Sequence, residues 1–217
     1  MKNFLPLICL VAFNLSGQTK RVTESVTVDK QEELNLEFAF ADKIEFEVWN
    51  KNEVFVEVDV DIMDGKYNDI FSLRSTKSTY TISIEMDKDM WNKIDKAERK
   101  RNCNWYSELN YKVYLPKNME ITANTISGNY ELKYYGTPIR LKTISGAIDV
   151  TVPESASLDF RAQTISGEVF SDIDIEFPYG KEGLRQIVGQ KVRGRIKNGG
   201  EELEFETISG NIYLRKG

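Results

Sequence analysis

Four serines recur at one place in a repeated tetrapeptide, and they are the residues that could act as nucleophiles. Thr-Ile-Ser-Gly occurs four times and places hydroxyls at Ser127, Ser145, Ser166 and Ser209. The chain has no histidine, which excludes a Ser–His pair and leaves only a Ser–Lys arrangement as an activated nucleophile. Hydroxyls that repeat in step are typical of stacked corners, where they satisfy backbone groups. We therefore predict no catalytic residue and no enzyme activity.

Two acidic clusters are the candidates for calcium ligands: Asp59, Asp61 and Asp64 before Gly65, and Asp172, Asp174 and Glu176. The first cluster fails the EF-hand spacing because position 70, where a bidentate glutamate would sit, is Ile70. Acids on solvated strand faces explain both clusters better. With no histidine, and with Cys103 as the only cysteine after the first 18 residues, the usual zinc, haem and transition-metal ligand sets are missing too. We predict no metal site and no cofactor.

Residues 87–107 hold a cluster of aromatic and basic side chains, with this candidate binding surface: Trp91, Arg99, Arg101, Trp105 and Tyr106. These side chains could stack on sugars or hold an acidic partner. Apolar residues at helical spacing within the segment predict a short helix or a charged loop near 88–101. We favour a structural interpretation, in which the segment covers an end or a face of the sheets that position it.

Two short strands flank each tetrapeptide. Upstream of the tetrapeptide, apolar or threonine residues alternate with polar ones, as in Leu203, Phe205 and Thr207. Downstream of it the alternation resumes after a shift of one residue. Such a phase slip keeps both strands facing one core only if the chain bends there. The predicted corner glycines, including one in a degenerate fifth copy at 192–196, are Gly128, Gly146, Gly167, Gly194 and Gly210. We predict an all-β fold in which residues 119–217 form a β-solenoid or β-roll of stacked coils, each of roughly 20 residues.

The chain before Met119 is predicted to add further β-strands. Alternating apolar and polar residues indicate strands within 34–48 and at 54–62, 67–73, 80–86 and 111–115. These strands form either a sandwich-like layer or a continuation of the solenoid. We predict a signal peptide at 1–18, an N-terminal β-strand region at 19–118 and the repeat region at 119–217, with 19–217 as one continuous domain.

The start of the chain and its charge indicate where the protein acts. Lys2 and the apolar residues 4–15 predict a secretory signal peptide that is too short to span a bilayer comfortably, so we expect no transmembrane span. The net charge of −5 and the pI of about 5.1 argue against binding to nucleic acid or to anionic membranes. We expect an exported protein, in the periplasm or on the surface of a Gram-negative bacterium.

The repeats resemble a known family. The four Thr-Ile-Ser-Gly units, the Asn198-Gly199-Gly200 turn and the closing segment 207–213 are similar to the bacterial putative-adhesin family, a domain of unknown function in exported proteins. The resemblance implies a repeated β fold and, from the family name, adhesion, but it supplies no catalytic or binding residue. We expect a non-catalytic binding or scaffold protein whose partner is an envelope, glycan or protein ligand.

Two other functions stay open at this stage. A carbohydrate-active β-helix enzyme, a lyase or a hydrolase, would need an acidic cleft formed by residues such as Asp172, Asp174 and Arg185. A periplasmic accessory protein in envelope stress or signalling is the second alternative.

Overall fold

The computed structural model describes residues 19–29, 33–101, 105–178 and 190–217. The strands in chain order are β1 Lys20–Thr27, β2 Glu33–Glu37, β3 Phe40–Trp49, β4 Glu53–Ile62, β5 Leu73–Lys77, β6 Thr81–Met86, β7 Ser107–Pro116, β8 Glu120–Lys133, β9 Ile139–Ser145, β10 Ile148–Val152, β11 Leu158–Ser166, β12 Val169–Ser171, β13 Gln190–Ile196, β14 Glu201–Ser209 and β15 Ile212–Lys216. Two 3₁₀ helices, Asn68–Ile70 and Met90–Lys93, and one short α-helix, α1 Lys96–Arg101, complete the described elements. The all-β prediction is confirmed. The predicted signal peptide, Cys103 and Arg185 lie outside the described residues.

The strands form one hydrogen-bonded network that is bent into two arms. The first arm has the strand order β5–β6–β2–β8–β9–β14–β11–β13. The second arm has the order β1–β4–β7–β3–β8–β10–β15–β12. Strand β8 runs through the corner and belongs to both arms. Each coil therefore contributes one strand to each arm, as the phase slip at Thr-Ile predicts.

The coils do not stack in the order of the sequence. Strand β14 pairs in parallel with both β9 and β11, and β15 pairs in parallel with both β10 and β12. The last coil of the chain is therefore inserted between the two coils that precede it. The repeats share one motif and one parallel register, so their sequences do not specify which copies become neighbours.

The predicted fifth coil at 192–196 is wrong. Strand β13 runs antiparallel to β11 at the edge of the first arm, and Gly194 lies opposite Phe160 within the strand rather than at a corner. A Cβ atom on Gly194 would come within 2.6 Å of the Phe160 ring and 2.5 Å of Ile175. This glycine is needed because apolar side chains pack directly on the β13 backbone.

The N-terminal half continues the stack of coils. Strands β2 and β3 pair in parallel with the two parts of β8. Together they form a coil that is stacked directly on the coil of β8. The hairpin β5–β6 and the strands β1, β4 and β7 then extend the two arms. Alternate residues of these strands face one core between the arms, which includes all the even-numbered apolar residues of β4.

The strand predicted at 67–73 is wrong. Residues Asn68–Ile70 form a 3₁₀ helix, and β5 begins only at Leu73. The preceding turn contains Met63, Asp64 and Gly65 at positive φ angles. The Asn68 side chain accepts a hydrogen bond of 2.7 Å from the Ile62 backbone N–H and so fixes this turn locally.

Candidate binding surface

In three of the four Thr-Ile-Ser-Gly repeats the corner is held by its threonine and glycine, whereas Thr125 of the first repeat donates to the Ser127 carbonyl at 3.0 Å. The buried hydroxyls of Thr143, Thr207 and Thr164 donate hydrogen bonds of 3.3, 3.2 and 2.9 Å to the carbonyl of the neighbouring coil's corner glycine. A Cβ atom on Gly146, Gly210 or Gly167 would lie 2.0 Å from that same carbonyl oxygen. The role that we predicted for the serine hydroxyls thus belongs to the threonines. The four repeat serines are exposed, and so are the isoleucines before them.

The aromatic and basic segment lies beside the first corner. Trp91 packs edge-on against Phe40 and Trp105, with ring centroids 6.4 and 6.3 Å apart, and it also packs against the core. Tyr106 is exposed, and a hydrogen bond with Asp64 raises the pKa of its hydroxyl. Arg99 and Arg101 belong to α1, but their side chains are outside the described part. The structure thus brings Trp91 and Trp105 together and directs Tyr106 towards the turn at Asp64.

A second surface, which we did not predict, covers the outer face of the second arm. An open trough of about 550 Å³ crosses strands β7, β3, β8, β10 and β15. Its charged lining consists of Glu45, Glu47, Lys112, Glu131, Asp149 and Arg215, with Phe46 and Leu132 as its apolar part. With strands about 4.8 Å apart, five strands give the trough a length of about 19 Å.

The trough contains three carboxylates in one cross-strand row. Glu131 stands directly between Glu45 and Asp149, because all three strands are parallel and in register. Like charges directly opposite each other destabilise a sheet. Basic side chains offset this repulsion: Lys43 bridges Glu45 and Glu131 at 2.5 and 2.8 Å, and Arg215 contacts Asp149 at 2.8 Å.

Aromatic side chains stand at both ends of the trough. At one end Trp49, Phe55 and Tyr114 form a cluster with centroids 5.1 to 6.1 Å apart, which we call the aromatic platform. At the other end Phe170 stacks on Tyr213 at 5.3 Å. All these rings stand on the outward positions of their strands and are at least partly exposed.

Ion pairs keep the lysines of this surface protonated. Hydrogen bonds from Lys43 to Glu131 and then to Glu45 raise the pKa of its ammonium group. A hydrogen bond to Glu47, at 3.0 Å, and a smaller contribution from Tyr114 raise the pKa of Lys112. A lysine must be neutral to act as a nucleophile or a general base. Lys43 and Lys112 are therefore not prepared for either role.

The other predicted candidates do not converge on a site. Asp172 accepts the backbone N–H of Lys216 at 2.7 Å, and Asp61 accepts that of Gly65 at 2.9 Å. Both acids thus support local backbone structure. Within the described ranges no group of three or more acidic or cysteine side chains is arranged to hold a metal ion. The part of the chain that the structure describes also contains no helix with the length and apolar character needed to cross a membrane.

The sequence contained one signal for the second surface. In β4 the inward positions are apolar, and Phe55 is the aromatic residue among the acidic residues of the outward positions. Tyr114 and Trp49 likewise occupy outward positions of β7 and β3. The pattern did not show that these three strands are neighbours, so the cluster could not be assembled from sequence.

Residues 52–215 match the Toastrack DUF4097 family. The chain belongs to this family. The resemblance that the repeats indicate is thereby confirmed, and the Toastrack domain has a β-solenoid-like fold that agrees with the bent coils. The family is one of unknown function, and these comparisons indicate no catalytic family. A search of curated proteins finds no sequence that matches this chain.

One solved structure shares the fold of this chain. A "putative cell adhesion protein" from Clostridium sporogenes covers 92% of this chain and 100% of its own, with 11% sequence identity and a TM-score of 0.57. This likeness shows a shared fold. A "putative adhesin" from Bacteroides fragilis covers 93% of this chain and 99% of its own, with 8% identity and a lower TM-score of 0.32.

Proposed function

We propose that this Toastrack protein is an exported, non-catalytic binding module of the bacterial cell envelope, and that the outer face of the second arm is its binding surface. The observation that carries the proposal is the row of adjacent carboxylates Glu45, Glu131 and Asp149. The fold does not require such a row, because it places like charges side by side. Departures from local stability of this kind are typical of functional surfaces.

The aromatic side chains add to this argument. Exposed tryptophan and tyrosine supply large contact areas at low entropic cost, and they are enriched where proteins bind partners. Trp49, Tyr114 and Tyr213 flank the row of acids. The trough is therefore bordered on both sides by groups suited to contact a ligand.

Export and position in the envelope are supported by the charged and apolar pattern of residues 1–18 and by the name of the Clostridium sporogenes cell adhesion protein that shares the fold. Protease treatment of intact cells, with lysed cells as the control, tests this part of the proposal. The protein is expected to be digested on intact cells if displayed, and only after disruption of the envelope if periplasmic. Recovery with the cytoplasmic fraction would contradict export.

Binding is tested by sedimenting the purified chain with washed envelope fragments of the producing bacterium. We expect the wild-type chain to sediment with the fragments and Trp49→Ala/Tyr114→Ala to stay largely in the supernatant. The matched control is Lys142→Ala/Glu206→Ala, which removes an exposed ion pair of 3.0 Å from the first arm. Equal sedimentation of all three proteins would contradict a binding role for the second arm.

A further inference from the structure

We infer that the outer face of the second arm binds a neutral, hydroxyl-rich glycan chain that lies along the trough. This inference rests on the binding function proposed above and names the ligand class of the same surface. The ligand must fit three properties of the trough: charges that are already paired, aromatic rings at both ends, and an open, elongated shape.

Most charges of the trough are paired within the surface, where four carboxylates meet three basic side chains and Glu45 shares Lys43 with Glu131. Glu47 is paired with Lys112, Asp149 with Arg215, and Glu131 with Lys43. A cationic ligand would have to displace these lysines and the arginine, and an anionic ligand would have to displace the carboxylates. A neutral ligand leaves all these pairs in place, although breaking any one of the exposed ion pairs costs little.

Hydroxyl groups suit paired charges because they donate and accept at once. Each carboxylate offers about four lone-pair sites. Ion pairs such as Glu47–Lys112 and Asp149–Arg215 use only some of them. A sugar hydroxyl can donate to a remaining carboxylate site and accept from a neighbouring ammonium or guanidinium group. The adjacent acids Glu45 and Glu131 thereby provide a continuous line of acceptors.

The aromatic platform provides the apolar contact that sugar rings require. Lys51 lies over the face of Trp49 with its Nζ atom 4.3 Å from the ring centroid, and Lys112 lies 5.2 Å from that of Tyr114. These lysines occupy ring faces that attract positive charge, so a sugar ring that stacks on such a face takes the place of the lysine. The C–H groups on one side of a sugar ring carry partial positive charge. They therefore pack against the faces of aromatic rings.

The shape of the trough indicates a chain rather than one sugar. It crosses five neighbouring strands, about 19 Å from β7 to β15. The platform and the exposed Phe170 ring then offer a stacking position at each end, whereas the Tyr213 ring contacts both Phe170 and Arg215. A single monosaccharide would contact only one of these positions and would leave the row of acids unused.

Affinity electrophoresis tests this inference with defined probes. The net charge of −5 carries the full chain toward the anode in native gels that contain dextran, laminarin or hydroxyethyl cellulose as neutral polysaccharides, or alginate as an acidic one. We expect at least one neutral polysaccharide to retard the chain, and Trp49→Ala and Tyr114→Ala each to weaken its binding about tenfold or more. The first-arm variant Lys142→Ala/Glu206→Ala should be retarded like the wild type.

A spectroscopic measurement distinguishes a variant that has lost binding from a variant that fails to fold. The chain contains three tryptophans, so Trp91→Phe/Trp105→Phe leaves Trp49 as the only one. Its emission is expected to shift when the retarding polysaccharide is added. Glu47→Gln, which keeps the side-chain shape, should weaken retardation with only a small decrease in the thermal midpoint, because the Glu47–Lys112 ion pair that it removes is exposed.

Three outcomes would overturn the inference: retardation by alginate alone, no retardation by any neutral polysaccharide, or neutral retardation that Trp49→Ala and Tyr114→Ala leave unchanged. If the chain still sediments with envelope fragments through the second arm, only the ligand class is wrong. If that sedimentation is lost as well, the proposed binding function fails with it.

Discussion

The outer faces of the two arms differ although the same coils build both. On the first arm Glu204 stands between Arg140 and Arg161, so that opposite charges are neighbours, and the outward residues of its strands include no aromatic side chain in the described ranges. On the second arm Glu131 stands between two other acids. Like charges also lie opposite each other on the first arm, as at Glu37–Glu85 and Asp159–Glu202, but in the described strands they do so only in pairs, whereas the second arm has three acids in one row. This difference shows that the coil framework alone does not explain the second face.

The largest expected effect concerns the corner that both arms share. Gly146→Ala would place a Cβ atom 2.0 Å from the Gly128 carbonyl oxygen. We expect the free energy of unfolding to fall by about 3 kcal/mol or more, because neighbouring backbones must separate. Chemical denaturation followed by circular dichroism measures this loss.

The control for the corner is Gly136→Ala, which has a φ angle of +102° but no atom within 4 Å of the added Cβ. Backbone strain alone should cost it about 1 kcal/mol. Similar losses in the two variants would show that close packing of the coils does not determine the requirement for glycine at the corner.

A smaller loss is expected for the buried threonine hydroxyl. Thr164→Val keeps the shape of the side chain but removes the 2.9 Å hydrogen bond to the Gly210 carbonyl. We expect a loss of about 1 to 2 kcal/mol in unfolding free energy. Thr76→Val, at an exposed position of β5, should change it by less than about 0.5 kcal/mol. Equal thermal midpoints for both variants would disprove a structural role for the corner hydroxyl.

Substitutions in the two charge rows should act with opposite sign. Glu204→Gln removes the acid between Arg140 and Arg161 and should lower the unfolding free energy by about 0.5 kcal/mol. Glu131→Gln removes the middle acid of three and should leave stability unchanged or slightly raised, since Lys43 keeps Glu45 as a partner. Urea denaturation of the two variants side by side measures both effects. A clear loss for Glu131→Gln would mean that its row is stabilising.

The smallest effects are those of pH, because the ion pairs are exposed. The raised pKa values of Lys43 and Lys112 contribute stability at neutral pH that is lost as pH rises above the ordinary lysine value of 10.5. Hydrogen bonds from Lys93 and the Asp89 backbone lower the pKa of Asp87, and its contribution is lost as pH falls below the ordinary value of 3.8. Thermal midpoints should therefore form a plateau between these limits. Burial also raises the pKa of Tyr111, Tyr130 and Tyr135, so stability is lost as pH rises above the ordinary tyrosine value of 10.0 whether or not salt is present. Added salt should reduce only the part of the alkaline decline that comes from the lysines, and an alkaline decline that begins well below pH 10.0 would contradict this origin.

The repeats predicted the corner and the two-strand coil. These features follow from local patterns: a parity slip at Thr-Ile, and a glycine where a carbonyl of the next coil leaves no room. The 3₁₀ turn at Asn68–Ile70 was missed because its short apolar run resembles a strand. The order of the coils was also missed, because copies with one motif and one register can neighbour each other in any order.

The binding surface could not be predicted from local sequence patterns, because its residues come from strands that are far apart in the chain. Trp49, Phe55 and Tyr114 come from three strands whose adjacency is set by long-range pairing. The row of Glu45, Glu131 and Asp149 likewise depends on which coils touch. The cluster that sequence proximity did suggest, Trp91 and Trp105, is the one that packs beside a corner and against the core.

The most direct test of the account compares both faces in one experiment. Carboxylates are labelled with a carbodiimide and an amine, with and without bound envelope fragments, and the labelled positions are read by mass spectrometry. We predict that the fragments protect Glu45, Glu47, Glu131 and Asp149 on the second arm and leave Glu202, Glu204 and Glu206 on the first arm as reactive as before. Protection of the first-arm acids, or equal protection of both sets, would contradict the assignment of binding to the second arm.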